Sequence, residues 1–579
     1  MSRKSSVKIS QTGKVLVLGH DTRSFLAVVR SLGRKGLIVH VGLSSGEALA
    51  LSSKYISKIH LLPPLSQSQK WKAEVQKIMQ HEQFDIVIPT NDVSNLLFQR
   101  FREEFEPYGR IYLLTEEAFK ITYNKMETYA LCERCGVNFP KSELIRNNYD
   151  ISTISENYKF PLILKPKSSV DLDNLNNRNY VKKIYHTSQL KSCLSEMLQK
   201  EDLIIQEYFE GIGVGVEILA TDGKILVAFQ HIRVHEPLKG GGSSYRKSMP
   251  VDKDLLYASE KLIKALNYTG VAMIEFRVDP KRGNWTLIEI NGRFWGSLPL
   301  AIAAGIDFPY YLYQMLINGK QDFPTKYRHN IFCRNTTSDL SWLIERLKCE
   351  TSLFKGLVSI SRYLISGIAH TLCLRERNDT FVLDDPLPGI RELHNVTSAA
   401  YRAGARKTIL HIRSTYPMRI YHAKKILNQL RATQSILFIC KGNICRSPFA
   451  ERYLQKISSH PIHVKSCGYY PQPGRLCPID AILAGRNYGI DLEDHRSSVI
   501  NDADLNNADI IFVFDWEDMS KVVSRFPMHR AKVWYLAEVT PRGTLEIPDP
   551  YGSDVSNFDK TYSQIRYHLD NIAEILANC

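Results

Sequence analysis

Apolar positions along this chain change their period several times, and each change marks an element. Residues 14–18, Lys-Val-Leu-Val-Leu, form an apolar run of strand length, closed by Gly19-His20-Asp21. A helical pattern follows from Phe25 to Gly33, and then a second run, Ile38-Val39-His40-Val41. A polar helix separates these from a third run, Asp85-Ile86-Val87-Ile88-Pro89-Thr90. Strand and helix alternating in this way predict a parallel sheet with crossover helices. From about 120 to 320 the pattern is mixed, with several hairpin-like strand pairs, and 326–433 reads as mostly helical. A fresh strand, Ser435-Ile436-Leu437-Phe438-Ile439, opens the last segment. No internal repeat is visible. The expectation is a multidomain α/β protein: an α/β domain at 1–110, a mixed domain at 111–325, a basic helical connector at 326–433 and an α/β domain with a central parallel sheet at 434–579.

Composition adds limits. Apolar residues are 44% and charged residues 23%, as in globular proteins and unlike disordered ones. The start, Met1-Ser2-Arg3-Lys4, leads into a polar stretch with no apolar export core, so a cytoplasmic location is expected. The most apolar window, Gly356 to Leu374, is broken by Arg362 and His370 and falls short of a membrane span. Eleven cysteines over 579 residues form no dense framework and read as reduced thiols. Cys132 and Cys135 make a lone C-x-x-C with no second pair, which reads as two helix positions rather than a metal site.

The net charge is +15, and it is uneven. No Asp or Glu occurs from Leu393 to Gln434, while Arg402, Arg406, Lys407, Arg413, Arg419, Lys424, Lys425 and Arg431 do. Such a block fits a solvated linker first, and peripheral contact with an anionic membrane or an acidic partner second. No nucleic-acid motif accompanies it, and no nucleic-acid partner is expected.

The segment Cys440-Lys441-Gly442-Asn443-Ile444-Cys445-Arg446-Ser447 lies between a strand and a helix, with Pro448 suited to a first helical turn. Phe449, Tyr453 and Ile457 follow at helical spacing. A strand–loop–helix junction aims consecutive N–H groups and the positive end of a helix at one spot, which makes an anion nest. A cysteine at the edge of that nest is expected to ionise more easily than a free thiol. Arg446 offers a planar fork for two phosphoryl oxygens.

This stretch resembles the signature of low-molecular-weight protein tyrosine phosphatases, and the likeness covers about 435–579. Asp494-His495-Arg496-Ser497, the apolar strand 509–515 and Ile547-Pro548-Asp549-Pro550-Tyr551-Gly552 occur in the family's order. The resemblance implies Cys440 as nucleophile, Arg446 as phosphate clamp and Asp549 as general acid. It implies that Lys441, Gly442, Asn443, Ile444, Cys445 and Ser447 bind the phosphoryl group. The implied substrate is a phosphotyrosine protein or a small phosphomonoester. The family also suggests a reversible disulfide between Cys445 and Cys440, against which stands a small buried filler. Related arsenate reductases use the same loop, and Cys467 and Cys477 precede the place expected for their relay.

The N-terminal half carries a second constellation. Thr286-Leu287-Ile288-Glu289-Ile290-Asn291-Gly292-Arg293 follows a strand holding Met273-Ile274-Glu275-Phe276. Glu289 and Asn291, two apart on a strand, share a face. Glu275 on the neighbouring strand completes a set of oxygen donors suited to Mg²⁺. These segments resemble ATP-grasp ligases, in particular those like the large subunit of carbamoyl phosphate synthetase, over about 14–320. The resemblance makes 1–110 a pre-ATP-grasp domain and 111–325 the ATP-grasp domain. It implies ATP binding by Lys125, by Lys165 in Ile163-Leu164-Lys165-Pro166, by the hinge residues Gln206, Glu207 and Phe209, and by Arg293. The implied metal ligands are Glu275, Glu289 and Asn291, and the implied substrates a carboxylate and an amine. One departure stands out: Lys167-Ser168-Ser169-Val170-Asp171-Leu172-Asp173 has no glycine where the family has a glycine-rich flap. Lys239-Gly240-Gly241-Gly242-Ser243-Ser244 offers a substrate loop, with Arg233 nearby.

The expected protein is therefore two-headed: a phosphomonoester hydrolase working through a phosphocysteine, and an ATP- and Mg²⁺-dependent ligase. The alternatives are an ATP-grasp half kept as a nucleotide sensor or scaffold, and a C-terminal half acting as an arsenate reductase or metabolite phosphatase.

Overall fold

The computed structural model describes residues 13–578 apart from 20–22, 45, 47, 147–153, 155, 168–180, 199–201, 238–241 and 350–352. The chain forms two compact units, Met1–Val396 and Thr397–Cys579, and the boundary falls within the helix Leu387–Ser414.

In the first unit, strands β1 (Lys14–Leu18), β2 (Ile38–Leu43), β3 (Lys58–Leu61) and β4 (Ile86–Pro89) form a parallel sheet in the order β3-β2-β1-β4. The central strand β1 is buried on both faces, which explains its unbroken apolar run. A second sheet contains β5 (Ser142–Ile145), β6 (Leu162–Pro166), β7 (Lys182–Ile184) and β8 (Leu203–Glu207), antiparallel in the order β5-β8-β6-β7.

The third sheet has seven strands. β9 (Ile212–Thr221), β10 (Lys224–His235), β11 (Tyr245–Met249), β12 (Gly270–Val278), β13 (Trp285–Asn291), β14 (Phe332–Arg334) and β15 (Glu376–Asn378) lie in the order β13-β12-β9-β10-β11-β14-β15. Alternation along β9 sends Val214, Val216, Ile218 and Ala220 into one core, while Leu219 joins the core shared with β1.

The segment 326–433, which reads as mostly helical, holds the helices Thr336–Cys349, Leu353–Leu372, Leu387–Ser414 and Tyr416–Leu430, and within it β14 and β15 each add three residues to the sheet. Runs of three residues carry no period. The boundary between the two units falls within that segment.

In the second unit, β16 (Ser435–Cys440), β17 (His463–Gly468), β18 (Ile510–Val513) and β19 (Val533–Tyr535) form a parallel sheet in the order β17-β16-β18-β19. Helices Arg446–Ile457 and Val555–Ala577 pack together over one face, through Phe449 stacked on Tyr562 at 3.9 Å. Helix Trp516–Arg525 supplies Met519 and Val522 to the core on the other face. Helix Tyr416–Leu430 adds Ile426 and Leu430 to the first of these cores.

No single helix among the described residues is long and apolar enough to cross a membrane. His40, His60 and Glu82 bring possible ligand atoms within 4.8 Å of one another, but Glu82 is committed to Lys14 and Lys58.

Candidate active sites

In the first unit, the register of β12 on β13 sets Glu275 directly opposite Glu289. Asn291 shares the face of Glu289 and donates to its Oε1 at 2.9 Å. The sequence-predicted metal set is therefore brought together. Burial works against charge on Glu289, yet Lys125, Asn291, Lys165 and Arg293 outweigh it and hold its carboxyl below the usual range. Burial raises Glu275, with Arg233 opposing through a direct hydrogen bond.

Lys165, on β6, is fully buried. Its Nζ donates to Tyr129 Oη at 2.8 Å and to Gln206 Oε1 at 2.9 Å, and burial pushes the ammonium down to about 8. Gln206 donates in turn to Tyr129 Oη at 2.7 Å and to Ser142 Oγ at 2.8 Å. Glu207 ends β8 with an exposed side chain, and Phe209 is half-buried just beyond it. Lys125 opens the helix Lys125–Cys135, and burial lowers its ammonium. A cavity between these elements is lined by Asp92, Asn95, Thr122, Lys125, Asn291 and Arg293, among others. Across it Arg293 Nε donates to Asp92 Oδ1 at 2.5 Å. Residues 168–173 of the glycine-poor stretch and Lys239–Gly241 lie outside the described residues.

In the second unit, β16 ends on Cys440 and the helix Arg446–Ile457 begins six residues later. Asn443, between them, turns the chain at φ +51°, a conformation that asparagine tolerates better than most residues. Its backbone N–H donates to Cys440 Sγ at 3.3 Å. Its side chain pins the loop: Nδ2 donates to Ser447 Oγ at 2.9 Å and Ser466 Oγ at 2.8 Å, while Oδ1 accepts from the Ser498 amide at 2.8 Å. Ser447 Oγ lies 3.1 Å from Cys440 Sγ, and His495 Nε2 lies 2.8 Å from the Asn443 carbonyl.

Arg446 is 1% exposed. Its guanidinium meets Asp515 Oδ2 at 2.6 Å, Asp549 Oδ2 at 3.2 Å and Asp518 Oδ2 at 3.3 Å. Asp549, far along the chain, is thus delivered to the same place as Cys440 and Arg446. Burial is the largest influence on the Cys440 thiol and raises it, against the lowering expected from the helix end alone; Arg446 and Ser447 oppose burial, and Asp518 reinforces it. Cys445 is buried, and burial, reinforced by Cys440, Asp549 and Cys477, pushes its own thiol up. Cys467 and Cys477 are buried as well.

The family model for low molecular weight phosphotyrosine protein phosphatases matches residues 435–578. A probable low molecular weight protein-tyrosine-phosphatase, EpsP, of Ralstonia nicotianae is 30% identical over 137 residues, 24% of this chain and 92% of that protein. The second unit belongs to the low molecular weight protein-tyrosine-phosphatase family. A protein-arginine-phosphatase of Geobacillus stearothermophilus is similar to the same region, 28% identical over 24% of this chain and 95% of its own length.

The model for ATP-grasp in the biosynthetic pathway with Ter operon matches residues 199–338. D-aspartate ligase of Enterococcus faecium is 22% identical over 259 residues, 42% of this chain and 62% of that protein. The chain thus joins an ATP-grasp domain to a phosphatase domain.

Several residues of both sites escape sequence reading. Tyr129, the hub between Lys165 and Gln206, sits in a helix and reads as core. Asp92 follows a strand of a different sheet, and its pairing with Arg293 spans 201 positions. In the phosphatase domain, Ser466 and Gly468 reach the loop from β17 and Asp518 from the helix Trp516–Arg525 with no motif of their own, and Ser498 reaches it from the residue after Asp494-His495-Arg496-Ser497.

Proposed function

We propose that the phosphatase domain hydrolyses aryl phosphomonoesters, phosphotyrosine above all, with Cys440 as nucleophile, Arg446 as phosphoryl clamp and Asp549 as general acid. The observation that carries this is the convergence of Cys440, the Asn443 amide and Arg446 on one cradle, with Asp549 at its mouth. Cys440 Sγ attacks phosphorus in line as the ester P–O bond breaks and Asp549 gives its proton to the departing oxygen. Asp549 then takes a proton from a water that attacks the phosphocysteine, and inorganic phosphate leaves with the thiolate restored. Arg446 and the amides of Lys441, Gly442, Asn443, Ile444 and Cys445 hold the equatorial oxygens, with Ser447 supporting the thiolate.

An aromatic rim favours an aryl group over an alkyl one. Tyr551, two residues past Asp549, is 65% exposed, and Tyr470 is 40% exposed with Arg475 4.4 Å over its ring. Arg475 also donates to the Gly442 carbonyl at 2.6 Å. The deciding assay compares p-nitrophenyl phosphate, phosphotyrosine peptide and phosphoarginine peptide on wild type, Cys440→Ser and Asp549→Ala. Turnover surviving in Cys440→Ser would sink the assignment, and preference for phosphoarginine would replace the substrate class.

For the first unit, we infer ATP-dependent activation of a carboxylate as acyl phosphate, followed by attack of an amine, releasing ADP and phosphate. What supports it is the facing of Glu275 and Glu289 beside Asn291, with Lys125 and Arg293 lining the cavity there and Lys165 acting on Glu289. Glu275, Glu289 and Asn291 fit Mg²⁺ as paired carboxylates and an amide oxygen on adjacent strands. When bound, Mg²⁺ neutralises phosphate charge; Lys125, Lys165 and Arg293 orient the phosphates, and Gln206, Glu207 and Phe209 the nucleoside. The Asp92–Arg293 pair supports an amino acid substrate, whose carboxylate and ammonium replace each partner for the other. A carboxylate alone would leave Asp92 unpaired. Release of ADP with an amino acid and not with its deaminated analogue is the expected result.

A further inference from the structure

The cradle under the phosphate loop contains two more acids than the reaction uses. The Arg446 guanidinium meets Asp515, Asp518 and Asp549 there, with Cys440 alongside. A doubly charged phosphoryl group has to enter this same space. With three carboxylates and a thiolate ionised, the cradle would repel it, so at least one acid must retain its proton. Asp549 gives its proton to the leaving group in every turnover. Asp515 is partly exposed and accepts the backbone N–H of Asp518 at 2.9 Å as a helix N-cap, a position that suits an acceptor.

Asp518 is differently placed. Its side chain is 0% exposed, and among the described residues its Oδ2 meets Arg446 and, at 3.4 Å, the amide of Phe514. Its Oδ1 has no well-aligned hydrogen bond among the described residues, and the buried hydroxyl of Tyr469 faces the carboxyl. A buried carboxylate with so few donors is costly, and a carboxylic acid there is much less so.

We propose that Asp518 is a positioning residue that works as a neutral carboxylic acid: while protonated it leaves the charge of Arg446 to a doubly charged oxyanion, and its ionisation closes the cradle to that ion. The proposal rests on the phosphatase reading of the site. Burial, opposed by Arg446 and reinforced by Asp515 and Asp549, pushes the carboxyl up to about 7, which sets the change near neutral pH. The other groups facing it are Cys440 and Tyr469, both of which burial raises.

The test is calorimetric binding of tungstate, a dianion from pH 6 to 9, to the full-length chain carrying Cys440→Ser, so that no thiol titrates at the site. Affinity should fall above about pH 7, approaching tenfold per unit as one proton becomes linked to binding. Adding Asp518→Asn should level the profile and keep at pH 8.5 the affinity seen at pH 6. Adding Asp515→Asn instead, which keeps the helix cap, should move the fall to lower pH, because the Asp515 charge helps to hold the Asp518 proton. A flat profile in the parent chain overturns the proposal, and so does a fall that survives Asp518→Asn. Tungstate failing to bind even at pH 6 would remove the phosphatase reading itself. Should Asp518→Asn not fold, the Asp515→Asn shift and a protonated-carboxyl infrared band lost above pH 7 decide in its place; absence of either overturns it.

Discussion

At Gly468 there is no room for a side chain. A Cβ built there would lie 2.9 Å from the Asn443 amide nitrogen and 2.9 Å from the Lys441 carbonyl oxygen. The end of β17 is thus the floor on which the phosphate loop rests, and alanine must push that loop off its nest. Overpacking of this kind costs about 1–3 kcal/mol. Gly468→Ala should lower the melting temperature and raise the KM for p-nitrophenyl phosphate more than it lowers kcat, since the displaced amides are the oxyanion donors. An unchanged KM would show that the loop has a different support. Lys165 makes a second case. Burial brings its ammonium down to about 8, whereas an unfolded chain retains that proton to about 10.5. Between these values the unfolded state binds more protons, so this position penalises folding below pH 8 and the penalty fades as pH rises towards 10.5. Nucleotide binding runs the other way, because it uses the charge. Affinity for ATP, measured by calorimetry, should fall above about pH 8 in the wild type, and in Lys165→Met it should be weaker at pH 7 and lose that fall.

At the scale of elements, what was legible and what was not divides along one physical line. The phosphate loop is eight consecutive residues between an apolar strand and an amphipathic helix, so local chemistry and local pattern say the same thing. Glu289 and Asn291 were readable for the same reason, as neighbours on one strand face. Their alignment with Glu275 needed only an antiparallel register. Asp92, Tyr129, Gly468 and Asp518 act through partners tens to hundreds of positions away, and nothing near them in the chain marks their use. Helix Tyr416–Leu430 shows the same limit in its charges. Arg419 reads as one cation of a solvated basic stretch, yet it is 1% exposed and donates to the carbonyls of Ala537 and Thr540. Arg413 and His422 both bind Glu538, whose carboxyl they hold below its usual range against burial. These are buried, hydrogen-bonded pairs, whose loss on truncation costs several kcal/mol. A C-terminal fragment beginning at Gln434 should therefore melt well below one beginning at Thr397, and should expose enough of the surface left by Ile426 and Leu430 to bind a hydrophobic dye. Equal melting curves for the two fragments would return the helix to the role of a spacer.

For the whole molecule, the central question is whether one chain carries two independent chemistries. Each unit has its own sheet and its own core, and the residues of each site come from within one unit. The ATP-grasp cavity draws on β13 and on the helices Asp92–Arg100, Glu116–Tyr123 and Lys125–Cys135, and the phosphatase cradle on β16, β17, β18 and the turn at Asp549. Sites that share no partner residue contribute additively. In the proposed reactions a product of one is also not the substrate of the other: the first would release inorganic phosphate and an amide, and the second would consume a phosphomonoester. Glu289→Gln should therefore abolish substrate-dependent ADP release, since it removes a carboxylate that faces Glu275 and is held charged by Lys125. The same change should leave hydrolysis of p-nitrophenyl phosphate within about twofold, a difference of roughly 0.4 kcal/mol. Cys440→Ser should do the reverse, ending hydrolysis while ADP release persists. The double variant should show the two losses together and nothing more. If Glu289→Gln changes the phosphatase rate tenfold, or if saturating ATP and Mg²⁺ change it in the wild type but not in that variant, then occupancy of the first site is being read by the second, and additivity fails in the direction that only coupling between the units explains.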